Sequence, residues 1–253
     1  FEGLCHKTVP EVAFATTHNA MSNAGDAWLA PNQNLGIREQ LRDGVRALMI
    51  DTHYDETDND FVPSLCHGHC ALGAIPLNES LEMVAQFLRC NPQQVLTLII
   101  EAYISEDDTR MAFAQAGLNQ WTYAHVAGTP WPSIQSLIER DQRLVVLSDE
   151  GGTEDWHMQL WNHAFETPFS VERKEDFVCE KNRGSIENPL FILNHFLSAP
   201  LPSTELASEA NHNPFFRIRA EQCQSSFGRI PNFITVDFYD IGDVSSVIRK
   251  LNG

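Results

Sequence analysis

Residues able to carry acid–base or metal chemistry recur where apolar runs of this chain stop. His18 and Asn19 follow the run 11–17. Asp51 and His53 close the run 45–51, and His67 ends 61–67. Glu101 follows 95–100, His195 follows 191–194, and Asp237 lies within 233–238. Taken singly, each reads as an ordinary loop residue or a hydrogen-bonded structural histidine. As a set they describe a reaction. Two imidazoles allow one to remove a proton from a nucleophile while the other protonates a leaving oxygen. A carboxylate beside the first would fix its tautomer and stabilise its charged form. Asn19, Asp51 and Glu101 offer oxygen donors suited to a hard divalent cation, calcium first and magnesium second. Such an ion would neutralise charge developing on a phosphoryl group. His53 is a further candidate ligand; with both His53 and His67 on the metal, zinc would replace calcium. No organic cofactor is expected.

The elements that must position these groups follow from periodicity. In a strand, side chains alternate, so Met49, Asp51 and His53 share one face. Strands are expected at 11–17, 45–51, 61–67, 95–100, 121–126, 144–148, 191–194 and 233–238. Residues 78–89 read as a helix, with Leu81, Val84, Ala85 and Leu88 on one face and Asn78 as its N-cap. That capping role takes precedence over the sequon Asn78-Glu79-Ser80. Further helices are expected at 35–42, at 105–116 with Ser105 and Asp108 as a cap and Gly117 as its stop, and at 133–140, 153–165, 203–223 (broken near Pro214) and 241–251. The acidic loop 54–60 leads directly into the third strand with no room for a helix. Strands alternating with helices imply a parallel sheet. The length fits one α/β domain over 1–253, a closed eight-stranded barrel whose strand ends converge on one face.

Composition narrows the partners. The 253 residues are 43% hydrophobic and 20% charged, a globular balance. No run of about 18 apolar residues is present to span a membrane. The formal charge of −17, from 34 acids against 17 bases, argues against a nucleic-acid partner. Six cysteines, an even count, fit an exported protein, extracellular or periplasmic, with disulfides. The pairing is open by sequence; a local Cys66–Cys70 clip and a long-range Cys179–Cys223 bridge are expected, which leaves Cys5–Cys90. A zinc half-site at Cys66 and Cys70 lacks a second pair at finger spacing. A monomer is expected.

Thr16-Thr17-His18-Asn19, the run from Gly44 into Asp51, His67-Gly68-His69, the run into Glu101 and the stretch 232–238 together resemble the catalytic barrel, or X domain, of phosphatidylinositol-specific phospholipase C. They point in particular to its secreted, cysteine-bearing branch. The ordered motifs span nearly the whole chain. The resemblance implies a distorted (β/α)8 TIM barrel and cleavage of a phosphodiester by internal attack. His18 would activate the inositol 2-hydroxyl, His67 would protonate the diacylglycerol oxygen, and Asp237 would hold the base. Asn19, Asp51 and Glu101 match three calcium ligands of the eukaryotic enzymes. The fourth, a glutamate there, is Met49 here, and thioether sulfur is a poor calcium ligand.

The implied substrate is a phospholipid, with peripheral membrane contact. Trp28 and Leu29 are the candidates for an element that dips into the interface, unless Trp28 packs over the barrel mouth; His195 is a further candidate substrate contact. A glycerophosphodiester phosphodiesterase comes second, because that group carries His-Arg-Gly where this chain has His18-Asn19-Ala20, and a Glu-x-Asp pair where it has Met49-Ile50-Asp51. A catalytically silent phospho-ligand barrel is the non-enzymatic alternative.

Overall fold

The computed structural model describes residues 3–56, 61–152, 154–198 and 200–253. In chain order its elements are β1 (Phe14–Thr17), α1 (Ile37–Arg42), β2 (Ala47–Asp55), β3 (Val62–Leu65), β4 (Ile75–Pro76) and α2 (Leu77–Cys90). There follow β5 (Leu96–Ala102), α3 (Glu106–Gln115), β6 (Thr122–Tyr123), α4 (Ile134–Glu139), β7 (Leu144–Ser148), β8 (His157–Gln159) and β9 (Ala164–Glu166). The chain ends with β10 (Leu190–Asn194), α5 (Thr204–Ala210), α6 (Phe215–Phe227), β11 (Phe233–Val236) and α7 (Val244–Asn252).

Parallel ladders run β7-β5-β2-β1-β11-β10-β9. On the far edge of β7, β6 pairs with Leu144 and Val145, and β8 with the residues above them, Val146 to Ser148. Among the described residues no ladder joins β8 to β9. A 3-10 turn at Leu160–Asn162 crosses that seam instead.

Period-two alternation sorts the strand residues into two shells. Phe14, Ala47, Ile99, Val145, Leu147, Ile192 and Phe233 pack together inside the curled sheet. Their neighbours Leu48, Ile50, Leu98 and Ile100 face out under α2 and α3. Phe191, Leu193, Ile234 and Val236 face out under α6 and α7. Continuing the inward phase past the apolar layer gives Met49 then Asp51 then His53, Ile99 then Glu101, Leu147 then Asp149, Ile192 then Asn194, and Thr235 then Asp237. The polar groups therefore gather at the C-terminal ends of the strands, where an α/β barrel keeps its site.

Several expectations need correction. Residues 153–165 are not a helix; beyond Thr153, which lies outside the described residues, they hold β8, the 3-10 turn and β9. Ladders to β7 and β10 outweigh the acidic residues that favour a helix start there. The third strand is shorter than 61–67 and runs antiparallel to β2, since a hairpin connection reverses the chain. Residues 57–60 of its loop lie outside the described residues. Helix α2 starts one residue early, with Pro76 rather than Asn78 at the cap position. The Ser105 cap forms as expected, its hydroxyl accepting from the Asp108 amide 3.1 Å away.

Disulfides join Cys66 to Cys70 and Cys179 to Cys223. No disulfide joins Cys5 to Cys90. The Cys5 carbonyl is instead tied to the Gln135 amide of α4, while Cys90 sits exposed at the end of α2.

Candidate active site

Two adjoining cavities open at the C-terminal strand ends. The inner one, about 150 Å3, is lined by His18, Asn19, Met49, Asp51, Glu101, Asp149, Glu166 and Arg183, with Leu160, Trp161, Phe169 and Phe196 as apolar walls. The outer one, about 470 Å3, adds His53, His67, Tyr103, Leu201 and Asp237. Seven of the expected site residues are thus brought together: His18, Asn19, Asp51, His53, His67, Glu101 and Asp237, with Met49 at the place of the absent fourth ligand.

His18 is held from three sides. Its Nδ1 lies 2.9 Å from Asp237 Oδ1, and the same oxygen accepts from Asn32 Nδ2 at 3.0 Å. Its ring lies flat on Phe196, with centroids 3.8 Å apart. The Asn19 amide reaches its Nε2 at 3.2 Å. Asn19 can do so because it turns the chain at φ 44°, a left-handed conformation that asparagine tolerates better than most residues. With Nδ1–H directed at Asp237, Nε2 is the nitrogen left to receive a proton. His67 stands across the outer cavity, its ring centroid 6.4 Å from that of His18 and tilted by 68°. The Cys66–Cys70 disulfide brackets it.

Charge tunes the two imidazoles in opposite directions. Burial pulls the His18 pKa down, but the charge and hydrogen bond of Asp237 override it, with help from Asp51 and Glu101, and the pKa is raised. His67 is lowered by loss of water around it and by His18. Asp51 and Glu101 are register partners in the β2–β5 ladder. Burial, reinforced by Glu101 and Asp149, pushes the Asp51 carboxyl up to about 8. Glu101 accepts from the Tyr103 hydroxyl. His53, stacked on Tyr103 at 4.4 Å, is lowered by burial.

The set of Asn19, Asp51 and Glu101 is a group of hard oxygen donors short of positive charge, which fits a divalent cation. Among the described residues, no three His, Cys, Asp or Glu side chains cluster closely enough to hold a metal.

The PI-PLC X family model (PI-PLC X 1) matches residues 4–252. The chain belongs to the PI-PLC X family. A PI-PLC X domain-containing protein 1 from Arthroderma benhamiae is 29% identical over 98% of this chain and 87% of its own length. An uncharacterized secreted protein of the same organism is 28% identical over 98% of this chain, which spans only 62% of that relative. Phosphatidylinositol-specific phospholipase C from Listeria monocytogenes superposes with a TM-score of 0.64 at 17% identity, over 98% of this chain and 94% of that one. That likeness establishes the fold, a distorted α/β barrel.

Two of the three further contacts expected of this PI-PLC X chain are placed differently. His195 follows Asn194 and so takes the outward phase; it is fully buried, stacked on Phe216 and bonded to the Ala210 carbonyl. Phe196, one residue on, faces the cavity instead. Trp28 is only 7% exposed, its ring laid against Gly73, where a Cβ would come within 2.3 Å of Cδ2. It packs rather than dips, and of the pair only Leu29, 62% exposed, is open to a lipid surface.

Asn32, Asp149, Glu166, Arg183, Asn194 and Phe196 were not read from the sequence as site residues. Asp149 and Asn194 end strands that were readable, so their signal was present. Glu166 falls one residue past the segment expected as a helix, at the end of the unexpected strand β9, and Asn32 and Arg183 lie in irregular stretches without periodicity.

Proposed function

We propose that this chain cleaves the phosphodiester of a phosphoinositide or related lipid by internal attack. The observation that carries the reading is His18, bonded to Asp237, facing His67 with ring centroids 6.4 Å apart at an open cavity of about 470 Å3. His18 Nε2 takes the proton of the headgroup hydroxyl next to the phosphate as its oxygen bonds to phosphorus. The bond from phosphorus to the glycerol oxygen breaks, and His67 delivers a proton to that oxygen. A cyclic phosphate and diacylglycerol result. Asp237 holds the base in its tautomer and stabilises the imidazolium that forms.

Opposed tuning suits these roles. A raised pKa makes His18 the stronger base, and a lowered one makes His67 the stronger acid. Asn19, Asp51 and Glu101 would hold a calcium or magnesium ion, which when bound would offset negative charge on the phosphoryl oxygens. The chain works at a lipid surface outside the cytoplasm, a reading supported by its two disulfides, by a relative named as secreted, and by exposed Phe169 and Leu201 lining the cavity.

Phosphorus NMR of phosphatidylinositol turnover, with chelator and then with calcium or magnesium restored, tests this. A cyclic inositol phosphate that vanishes in His18→Ala and in His67→Ala is expected. Full activity in either variant would remove the assigned roles.

A further inference from the structure

Arg183 is the one lysine or arginine among the described residues that line either cavity. Its Nε donates to Glu166 Oε1 at 2.5 Å. Glu166 is 1% exposed and also takes the Asn194 and Asn182 amides, each at 3.0 Å. The guanidinium carbon lies 4.6 Å from the Trp161 ring centroid and 4.7 Å from that of Phe169. The backbone is fixed as firmly. Glu166 and Arg183 bond through the Glu166 amide, and Gly184 runs so close to β9 that a Cβ would fall 2.2 Å from the Ala164 carbonyl oxygen.

A guanidinium held between two rings and tied down at Nε has lost most of its rotamer freedom before any ligand arrives. Its Nη1 and Nη2 make no hydrogen bond among the described residues, and the side chain is 43% exposed. The other ionisable groups lining the inner cavity are the carboxyls Asp51, Glu101, Asp149 and Glu166 and the proton-transferring His18. Arg183 is thus the cation of this cavity that keeps its charge throughout proton transfer.

From this we infer that Arg183 is the cationic contact for the substrate's phosphodiester, its Nη groups pairing with the non-bridging oxygens from the seam side of the cavity. The inference rests on reading the site as a phosphodiesterase. It adds a binding residue that lies outside the two-histidine machinery. Planar two-point recognition is what arginine does and lysine does not.

Glycerophosphoinositol, a soluble diester, serves as a binding probe by titration calorimetry, beside KM and kcat for phosphatidylinositol in mixed micelles. Arg183→Met and Arg183→Lys are compared with the double variant Arg183→Met/Glu166→Gln, which leaves no unpaired buried carboxylate should the single change impair folding. Both Kd and KM are expected to rise about ten- to a hundredfold in all three, with kcat changing much less. A guanidinium that served only to neutralise Glu166 and close the seam would lower the melting temperature and leave Kd and KM unchanged, and that result overturns the inference. Binding by wild type that Arg183→Met loses, with no turnover of any diester, sustains the Arg183 contact and ends the catalytic reading. Absence of probe binding to wild type overturns the Arg183 contact whatever is turned over.

Discussion

The imidazole of His18 and the ring of Phe196 lie within 10° of parallel, with centroids 3.8 Å apart. The stack sets the plane of the imidazole, and Asp237 then sets its rotation within that plane. Neither contact does both. Phe196→Leu keeps the wall apolar but releases the plane. The expected result is a fall in kcat of about tenfold or more with KM nearly unchanged, read by steady-state kinetics. A kcat within twofold of wild type would show that Asp237 alone suffices.

The pH profile follows from the opposed shifts of the two histidines. His18 holds its proton more tightly than His67, so the singly protonated pair mostly carries its proton on the wrong ring for catalysis. The expected profile of kcat/KM is a bell. Because the active form is the minority state of the singly protonated pair, the bell's acid limb follows mainly His67 and its alkaline limb mainly His18. Asp237→Asn removes the charge that raises His18, so the alkaline limb is expected to move to lower pH while the rate falls by about 10²–10⁴. An alkaline limb that stays in place in this variant would assign it to another group.

Asp51 ties stability to pH in the metal-free protein. A carboxyl whose folded pKa exceeds its unfolded value binds its proton more tightly when folded. Its contribution is therefore complete below the unfolded value near 3.8 and is lost as pH rises toward about 8. In chelator, the wild-type melting temperature is expected to decline across that window. Asp51→Asn is expected to flatten the decline and to melt higher at pH 8. Calcium should raise the melting point of wild type at pH 8 and not that of Asp51→Asn. Matching profiles for the two proteins would place the repulsion elsewhere.

The two disulfides are expected to separate in their effects. Cys179–Cys223 closes a stretch with a sequence separation of 44, and its removal should cost about 2–5 kcal/mol. Cys66–Cys70 spans only 4 and restrains little chain entropy, but it brackets His67. Cys66→Ala/Cys70→Ala should lower kcat several-fold with a small change in melting temperature. Denaturant melts and single-turnover rates on both double variants check this; a larger stability loss from the short loop would contradict it.

Much of this was legible in the sequence because the barrel reads as a period of two. Strands that end in Asp51, Glu101 and Asp237 announce both the fold and the polar face. The same rule, pushed one residue too far, misassigned His195: it lies next to Asn194, not two residues on, and so takes the outward phase. Trp28 illustrates a different gap. Its composition suits a membrane interface, yet the glycine that receives it is 45 residues away at Gly73, and no local pattern reports that contact. Glu166 and Arg183 give no signal for a third reason. Residues 153–165 carry acidic residues that favour a helix start, and only ladders to distant β7 and β10 make strands there and carry β9 on to Glu166; Arg183 lies beyond it in a stretch without periodicity.

The open seam between β8 and β9 has a consequence for how such a protein changes over time. Across the rest of the ring, inserting or deleting residues breaks strand pairing. At the seam the wall is made of side chains, Trp161 from the 3-10 turn and Arg183 and Phe169 from a stretch, 167 to 189, that contains no strand. Between its fixed points, the Cys179–Cys223 bridge and the contact of 182–184 with β9, that stretch can lengthen, shorten or trade aromatic rings for polar groups, and so reshape what the cavity admits, while the opposite wall keeps its proton-transfer geometry. Diversification of ligand range would fall on one side of this barrel, and constancy of chemistry on the other.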